Sequence, residues 1–231
     1  MEGNQRQGRR VPGGASGAGA PAGSADDDAT LIARGQRGDV PAFNCLVERY
    51  QQAAYTLALR MVGDAERAAD ITQDAFFSAF RALASFRGTS FRAWLLRIVS
   101  NACYDYWRAR GRHPSVSLEA LTEGEPEDDA GGGPLPAALI DASAGPEQIA
   151  LRAELVEAIQ VALLRLPPEQ RLALVLSDVQ GLAYDEIAQV MQTSLGTVKS
   201  RISRARGHMR DLLRTMPELL PRAYRRDERD T

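Results

Sequence analysis

Two cysteines and two histidines are all that the 231 residues offer for thiol or imidazole chemistry. Cys45 and Cys103 stand far apart, as do His113 and His208, so no zinc-binding spacing exists. Both cysteines fall within helical patterns. They are expected to be buried thiols, as suits the reducing cytoplasm. No apolar run approaches the ~18 residues that span a bilayer, so no membrane insertion is expected. Residues 1–28 lack the apolar core of a signal peptide, and their Gly/Ala/Pro-rich composition is that of a disordered tail. The chain has no phosphate-cradling glycine loop, no metal cluster and no nucleophile–base motif, which argues against an enzyme and leaves no cofactor to expect. Strand-like alternation and internal repeats are missing too. What remains is an all-α chain.

Its helical pattern falls into two blocks. In the first, about 29–112, Asp39 precedes Pro41, a cap followed by a favoured early-helix proline. Phe43, Leu46, Val47, Tyr50, Ala54, Leu57 and Met61 then recur every three or four residues, one buried face. The run Val62–Gly63–Asp64 breaks the chain and caps a second helix, and Ser90 caps a third. From 113 to 145 the periodicity disappears. Residues 112–147 carry eight acids against one arginine, a net charge of about −7, with the Gly/Pro content of a flexible linker. Helix resumes over 146–216, with Ile149, Val156, Ile159, Leu163 and Leu166 on one face. Pro168 restarts a helix that Gly181 ends. Residues 217–231 form a tail. The expected architecture is two small helical domains joined by a flexible acidic linker.

The chain as a whole has a formal charge of −2, yet the stretch GTVKSRISRAR, 196–206, concentrates Lys199, Arg201, Arg204 and Arg206. It follows a short helix and a tight turn near 193–195, which is helix-turn-helix organisation. At ~100° per residue, Val198, Ile202, Ala205 and Met209 share a core face. Ser200, Ser203, Arg204 and Gly207 lie opposite, flanked by Lys199, Arg201, Arg206 and Arg210. Small polar residues at the centre let such a helix sit deep in a major groove, where Arg pairs with guanine. The flanking cations suit phosphates.

Two helices of the first block have unusual faces. In DAERAADITQDAFFSAFRAL the core face is Ala68, Ile71, Ala75, Phe76, Ala79, Phe80 and Leu83. Phe77 instead lands on the polar side with Asp70, Asp74, Ser78 and Arg81, and an aromatic ringed by carboxylates suits a docking partner. In FRAWLLRIVSNACYDYWRAR, Phe91, Leu95, Ile98, Ala102 and Tyr106 make the core stripe. Leu96, Arg97, Ser100, Tyr104, Trp107 and Arg108 occupy the far side. Outward aromatics between cations suit unstacked bases and a phosphate backbone. The preceding loop, with Phe86 and Arg87, completes a pocket for one extruded base. A single-strand surface and a double-strand surface on one chain serve a protein that holds duplex DNA in one place and opens it in another.

On these residues the sequence resembles the extracytoplasmic-function group of bacterial sigma factors. The stretches GDVPAFNCLVERY, DITQDAFFSAFRAL and FRGTSFRAWLLRIVSNACYDYWR resemble region 2 of that family, and LPPEQRLALVLSDVQGLAYDEIAQVMQTSLGTVKSRISRAR resembles region 4. The resemblance implies a protein that binds core RNA polymerase, directs it to promoters and nucleates melting. Asp70, Gln73, Asp74 and Phe77 match the helix that docks on the polymerase clamp. Phe86, Arg87, Gly88 and Asn101 match the loop and helix that capture the flipped base of the single-stranded −10 element, with Tyr104, Trp107 and Arg108 beside them. Lys199, Ser200, Ser203 and Arg204 match the positions that read the double-stranded −35 element. An anti-sigma factor is a further implied partner. A stand-alone helix-turn-helix regulator is the alternative, but it has no use for an outward Phe77, Tyr104 and Trp107.

Overall fold

The computed structural model describes residues 27–112 and 145–215. The acidic linker and the two tails expected from the sequence lie outside these residues, apart from their edge positions. Every regular element among the described residues is helical.

Helix α1 (Asp28–Gly35) begins at Asp27, whose carboxylate accepts the Thr30 amide at 2.8 Å. Helix α2 (Val40–Val62) begins at Asp39, which accepts the Ala42 amide at 3.1 Å. The Arg34 guanidinium beside Asp39 and this amide bond hold its carboxyl below the usual range. Helix α2 stops at Gly63, whose φ of 80° lies in the left-handed region that favours glycine. Asp64 then caps α3 (Ala65–Ala82) through the Arg67 amide at 2.8 Å. A 3-10 turn (Leu83–Ser85) and a short loop lead to α4 (Phe91–Arg112), capped by Ser90 through the Ala93 amide at 3.2 Å. Leu46, Leu57, Met61, Leu83, Phe91, Leu95, Leu96 and Val99 fill the core between these helices. Full burial of each such side chain is worth about 1.5–3 kcal/mol.

The second domain comprises α5 (Pro146–Leu164), α6 (Pro168–Leu174), α7 (Tyr184–Met191) and α8 (Leu195–Thr215). Helix α6 does not run unbroken to Gly181. It passes into a π-helical turn over Val175–Val179, where the Gln180 amide bonds the carbonyl of Val175 five residues back at 2.9 Å. The wider turn accommodates one extra residue, and the Gln180 side chain is buried. Leu172, Leu176, Ile187 and Ile202 form the core of this half.

The two domains pack against each other, α4 on α7 and α2 on α5. This packing changes several expected faces. Leu96 and Ser100, placed on the far side of α4 by the wheel, are buried, because α4 is sandwiched between its own domain and the second one. Phe80, expected in the core, is 40% exposed, and Ile149 is 41% exposed. Only one of the two thiols is interior: Cys103 is buried and Cys45 is on the surface. Burial pushes the Cys103 thiol up to about 12.

Candidate nucleic-acid interface

Helix α7 opens with the Glu186 carboxylate accepting the Ala183 amide at 3.0 Å. It ends at Gln192, in the left-handed conformation at φ 50°, an uncommon position for a non-glycine residue that a tight turn requires here. Ser194 then accepts the Thr197 amide at 3.2 Å and starts α8. Val198, Ile202 and Ala205 are fully buried, which fixes the rotation of α8. Lys199, Ser200, Ser203 and Arg204 are exposed together on the opposite side. The flanking arginines divide from these. Arg201 is paired with Glu169, and Arg206 with Asp178 at 2.6 Å. The Arg206 contact holds the Asp178 carboxyl below its ordinary range. Among the described residues Lys199 and Arg204 have no ion-pair partner, so their charge is free for an anion.

The loop before α4 is fastened from several sides. Phe86 points inward, its ring 4.8 Å from Trp94 and 6.1 Å from Phe91 between centroids. A side chain on Gly88 would bring its Cβ within 2.8 Å of the Phe86 ring, so any larger residue there has to displace that ring. The Arg87 guanidinium folds back to donate to the carbonyls of Ala84 and Phe86 at 2.9 and 2.8 Å. Gln36, from α1, donates to the carbonyls of Leu83 and Phe86 at 3.2 and 2.9 Å. Beside this loop lies a cavity of about 530 Å³. Arg87, Gly88, Thr89, Trp94 and Arg97 line it, and α7 closes it with Gln189 and Val190.

Asn101 is exposed one helical turn beyond Arg97, outside the lining of that cavity. Arg108 is exposed and bonds Asp105 at 2.5 Å. Tyr104 and Trp107, expected to face outward, are half-buried beneath the second domain. The Tyr104 phenol is pushed up to about 12, by burial first and by the nearby Glu169 carboxylate second. The Arg171 guanidinium stacks 5.6 Å from the centre of the Trp107 ring.

A third surface lies between α2 and α3. Val40, Phe43, Val47, Tyr55, Phe76 and Phe80 line an apolar groove of about 650 Å³, and Gln73 and Phe77 stand at its edge. Phe77 is 59% exposed. Asp70 and Asp74 are exposed on the same helix, with Asp70 in a surface pair with Arg67 at 3.3 Å. The wheel of α3 finds Phe77 but not the α2 wall of this groove, because Val40 and Val47 belong to a different helix. Phe80 signals it only in retrospect, as the core aromatic that the core leaves partly uncovered.

The residues that join the domains also escape the sequence reading. Arg171, only 3% exposed, donates to the carbonyl of Met61 at 2.5 Å across the interface and to those of Leu163, Leu164 and Leu166 at 2.8, 2.5 and 3.1 Å. Gln180 donates to the Ala53 carbonyl at 2.9 Å, and Arg92 donates to the Gln180 carbonyl at 2.6 Å. Arg60 donates to Gln160 at 2.7 Å. The signal available was a lone arginine at the head of the apolar run 172–176.

Comparison with known proteins agrees with this division. Residues 46–113 match the family description Sigma-70 region 2, and residues 156–209 match Sigma-70, region 4. The chain is 42% identical to the RNA polymerase sigma-H factor of Pseudomonas aeruginosa over 183 residues, 78% of this chain and 91% of that protein. It is 42% identical to the ECF RNA polymerase sigma-E factor of Escherichia coli K12 over 181 residues, 78% of this chain and 90% of that one. Among solved structures it is similar to the sigma factor RpoE in complex with the anti-sigma factor NepR from Bartonella quintana, with TM-score 0.56 and 27% identity over 74% of this chain and 96% of that one. It is also similar to CnrH in complex with the cytosolic domain of CnrY, with TM-score 0.55 and 26% identity over 81% and 97%. Two helical domains, the second a helix-turn-helix with an outward basic face, thus coincide with regions 2 and 4, and the chain belongs to the extracytoplasmic-function group of the sigma-70 family, the sigma factors that bind core RNA polymerase, direct it to promoters and nucleate their melting.

Proposed function

We propose that this sigma factor divides its work among three surfaces. Lys199, Ser200, Ser203 and Arg204 read the −35 duplex. Ser200 and Ser203 are small enough to let α8 enter the major groove, and Arg204 supplies the donors that pair with a base edge. Lys199, at the flank, adds charge toward phosphate. The observation that carries this reading is the free, exposed set on α8 beside Arg201 and Arg206, which their carboxylate partners hold.

The loop 86–90 and Asn101 capture one base of the −10 element. Phe86 is the buried foot of the loop rather than a stacking surface. Arg87 and Gly88 shape the rim, and Asn101 presents an amide that can both donate to and accept from a base edge. Tyr104, Trp107 and Arg108 support the opened strand. Flipping a base costs a few kcal/mol of stacking and pairing, and each base stacked on an aromatic returns about 1–3 kcal/mol. Asp70, Gln73, Asp74 and Phe77 dock on core polymerase, with the groove behind Phe77 taking an apolar side chain.

The working units are residues 29–112 and 146–216, with 1–28, 113–145 and 217–231 as tail, acidic linker and tail. The chain acts in the cytoplasm, and an anti-sigma factor holds it in reserve; of the two structural relatives, RpoE is in complex with the anti-sigma factor NepR and CnrH with the cytosolic domain of CnrY. Selecting promoters from a random library with reconstituted holoenzyme tests the whole reading. The selected sequences should carry two conserved elements, and substitutions at Arg204 and at Asn101 should each relax a different one.

A further inference from the structure

We infer that Gln36 is a positioning residue for −10 capture, an inference that rests on the assignment of the loop 86–90 to that task. Gln36 sits at the C-terminal end of α1, 50 residues from the loop it holds. Its amide nitrogen donates to the carbonyls of Leu83 and Phe86, the two ends of the turn from which the loop departs. The approach is close by construction. A Cβ on the preceding Gly35 would lie 2.7 Å from Leu83 Cδ2, so a larger residue there would have to displace the Leu83 side chain. Three restraints then converge on one short segment: Gln36 on its carbonyls, the Phe86 ring packed beneath it, and Ser90 bonded into the first turn of α4. A capture pocket needs this rigidity, because a binding constellation must be held within about 0.5 Å of its productive geometry. Gln36 touches no DNA in this scheme; it acts through Phe86.

The test compares Gln36→Ala with Asn101→Ala in full-length holoenzyme, by run-off transcription from promoters varied at each −10 position. Gln36→Ala should flatten the preference at the captured base several-fold while core-polymerase affinity and the unfolding midpoint stay near wild type. Gln36→Glu, which loses the two donors but keeps the length, should behave like the alanine variant. Flattening by Asn101→Ala but not by Gln36→Ala overturns the role of Gln36 alone. Flattening by neither overturns the −10 assignment with it. A parallel fall in core affinity and thermal stability would make Gln36 a general structural residue and overturn the proposal.

Discussion

Arg171 holds its guanidinium 5.6 Å from the centre of the Trp107 ring while its nitrogens saturate four main-chain carbonyls. One buried cation thus closes the turn between α5 and α6, ties that turn to the end of α2, and seats an aromatic of α4. Burial lowers the pKa of this guanidinium, which nevertheless stays charged. Arg171→Ala would leave the carbonyls of Met61, Leu163, Leu164 and Leu166 without their donor. A buried polar group left unsatisfied costs about 1–3 kcal/mol, so the loss should be about 3 kcal/mol or more. Arg171→Lys should recover less than half of it, because an ammonium cannot copy the planar fork. Urea unfolding followed by circular dichroism checks both.

Phe77→Ala should weaken core-polymerase binding by about 2 kcal/mol or more, the scale of a central aromatic anchor. Its ring is 59% exposed, so the unfolding midpoint should barely move. Phe80→Ala should affect both, since that ring also packs 5.0 Å from Phe43. Titration of labelled core enzyme separates the two variants.

On α8, Arg204→Ala should cost about 1–3 kcal/mol at one −35 base pair and relax preference there. Arg206→Ala should instead act weakly, since a surface ion pair such as that with Asp178 is worth about 0–1 kcal/mol. Binding measured against a set of −35 duplexes differing at single positions distinguishes the two. Unchanged preference in Arg204→Ala would move the reading face to another side of the helix.

Cys103 makes stability sensitive to alkali. Its thiol is raised from 9.0 to about 12 by burial. The folded state thus favours the neutral thiol, a contribution fully present below pH 9 and lost as pH rises through 12. Over that window stability should fall by up to about 1.4 kcal/mol per pH unit from this group. Cys103→Ala should show a shallower decline between pH 9 and 11, whatever its stability at pH 7. Thermal melts at stepped pH give the two slopes.

Most of what a single helix can report was legible in advance. Asp39, Asp64 and Ser90 cap where their side-chain chemistry places them, and Val198, Ile202 and Ala205 bury the stripe that a 100° rotation assigns. The misses share one cause, contact between segments distant in sequence. Leu96 and Ser100 look surplus to one core because they serve two. Phe86 matches the capture loop by position, yet its ring packs on Trp94 and Phe91. Gln36 and Gln180 carry no periodic signal, since each acts by reaching a carbonyl on another element. The π turn at 175–179 is equally silent, because it conserves the apolar pattern while shifting the residues after it.

The most direct test of strand opening is run-off transcription with permanganate footprinting, on a duplex promoter and on the same promoter carrying a pre-opened −10 bubble. The bubble has already met the cost of melting. Trp107→Ala should reduce open-complex formation on the duplex more than on the bubble, and Asn101→Ala should also lower preference for the captured base on both. Equal defects of Trp107→Ala on the two templates would contradict a role in opening and confine that ring to its packing against Arg171.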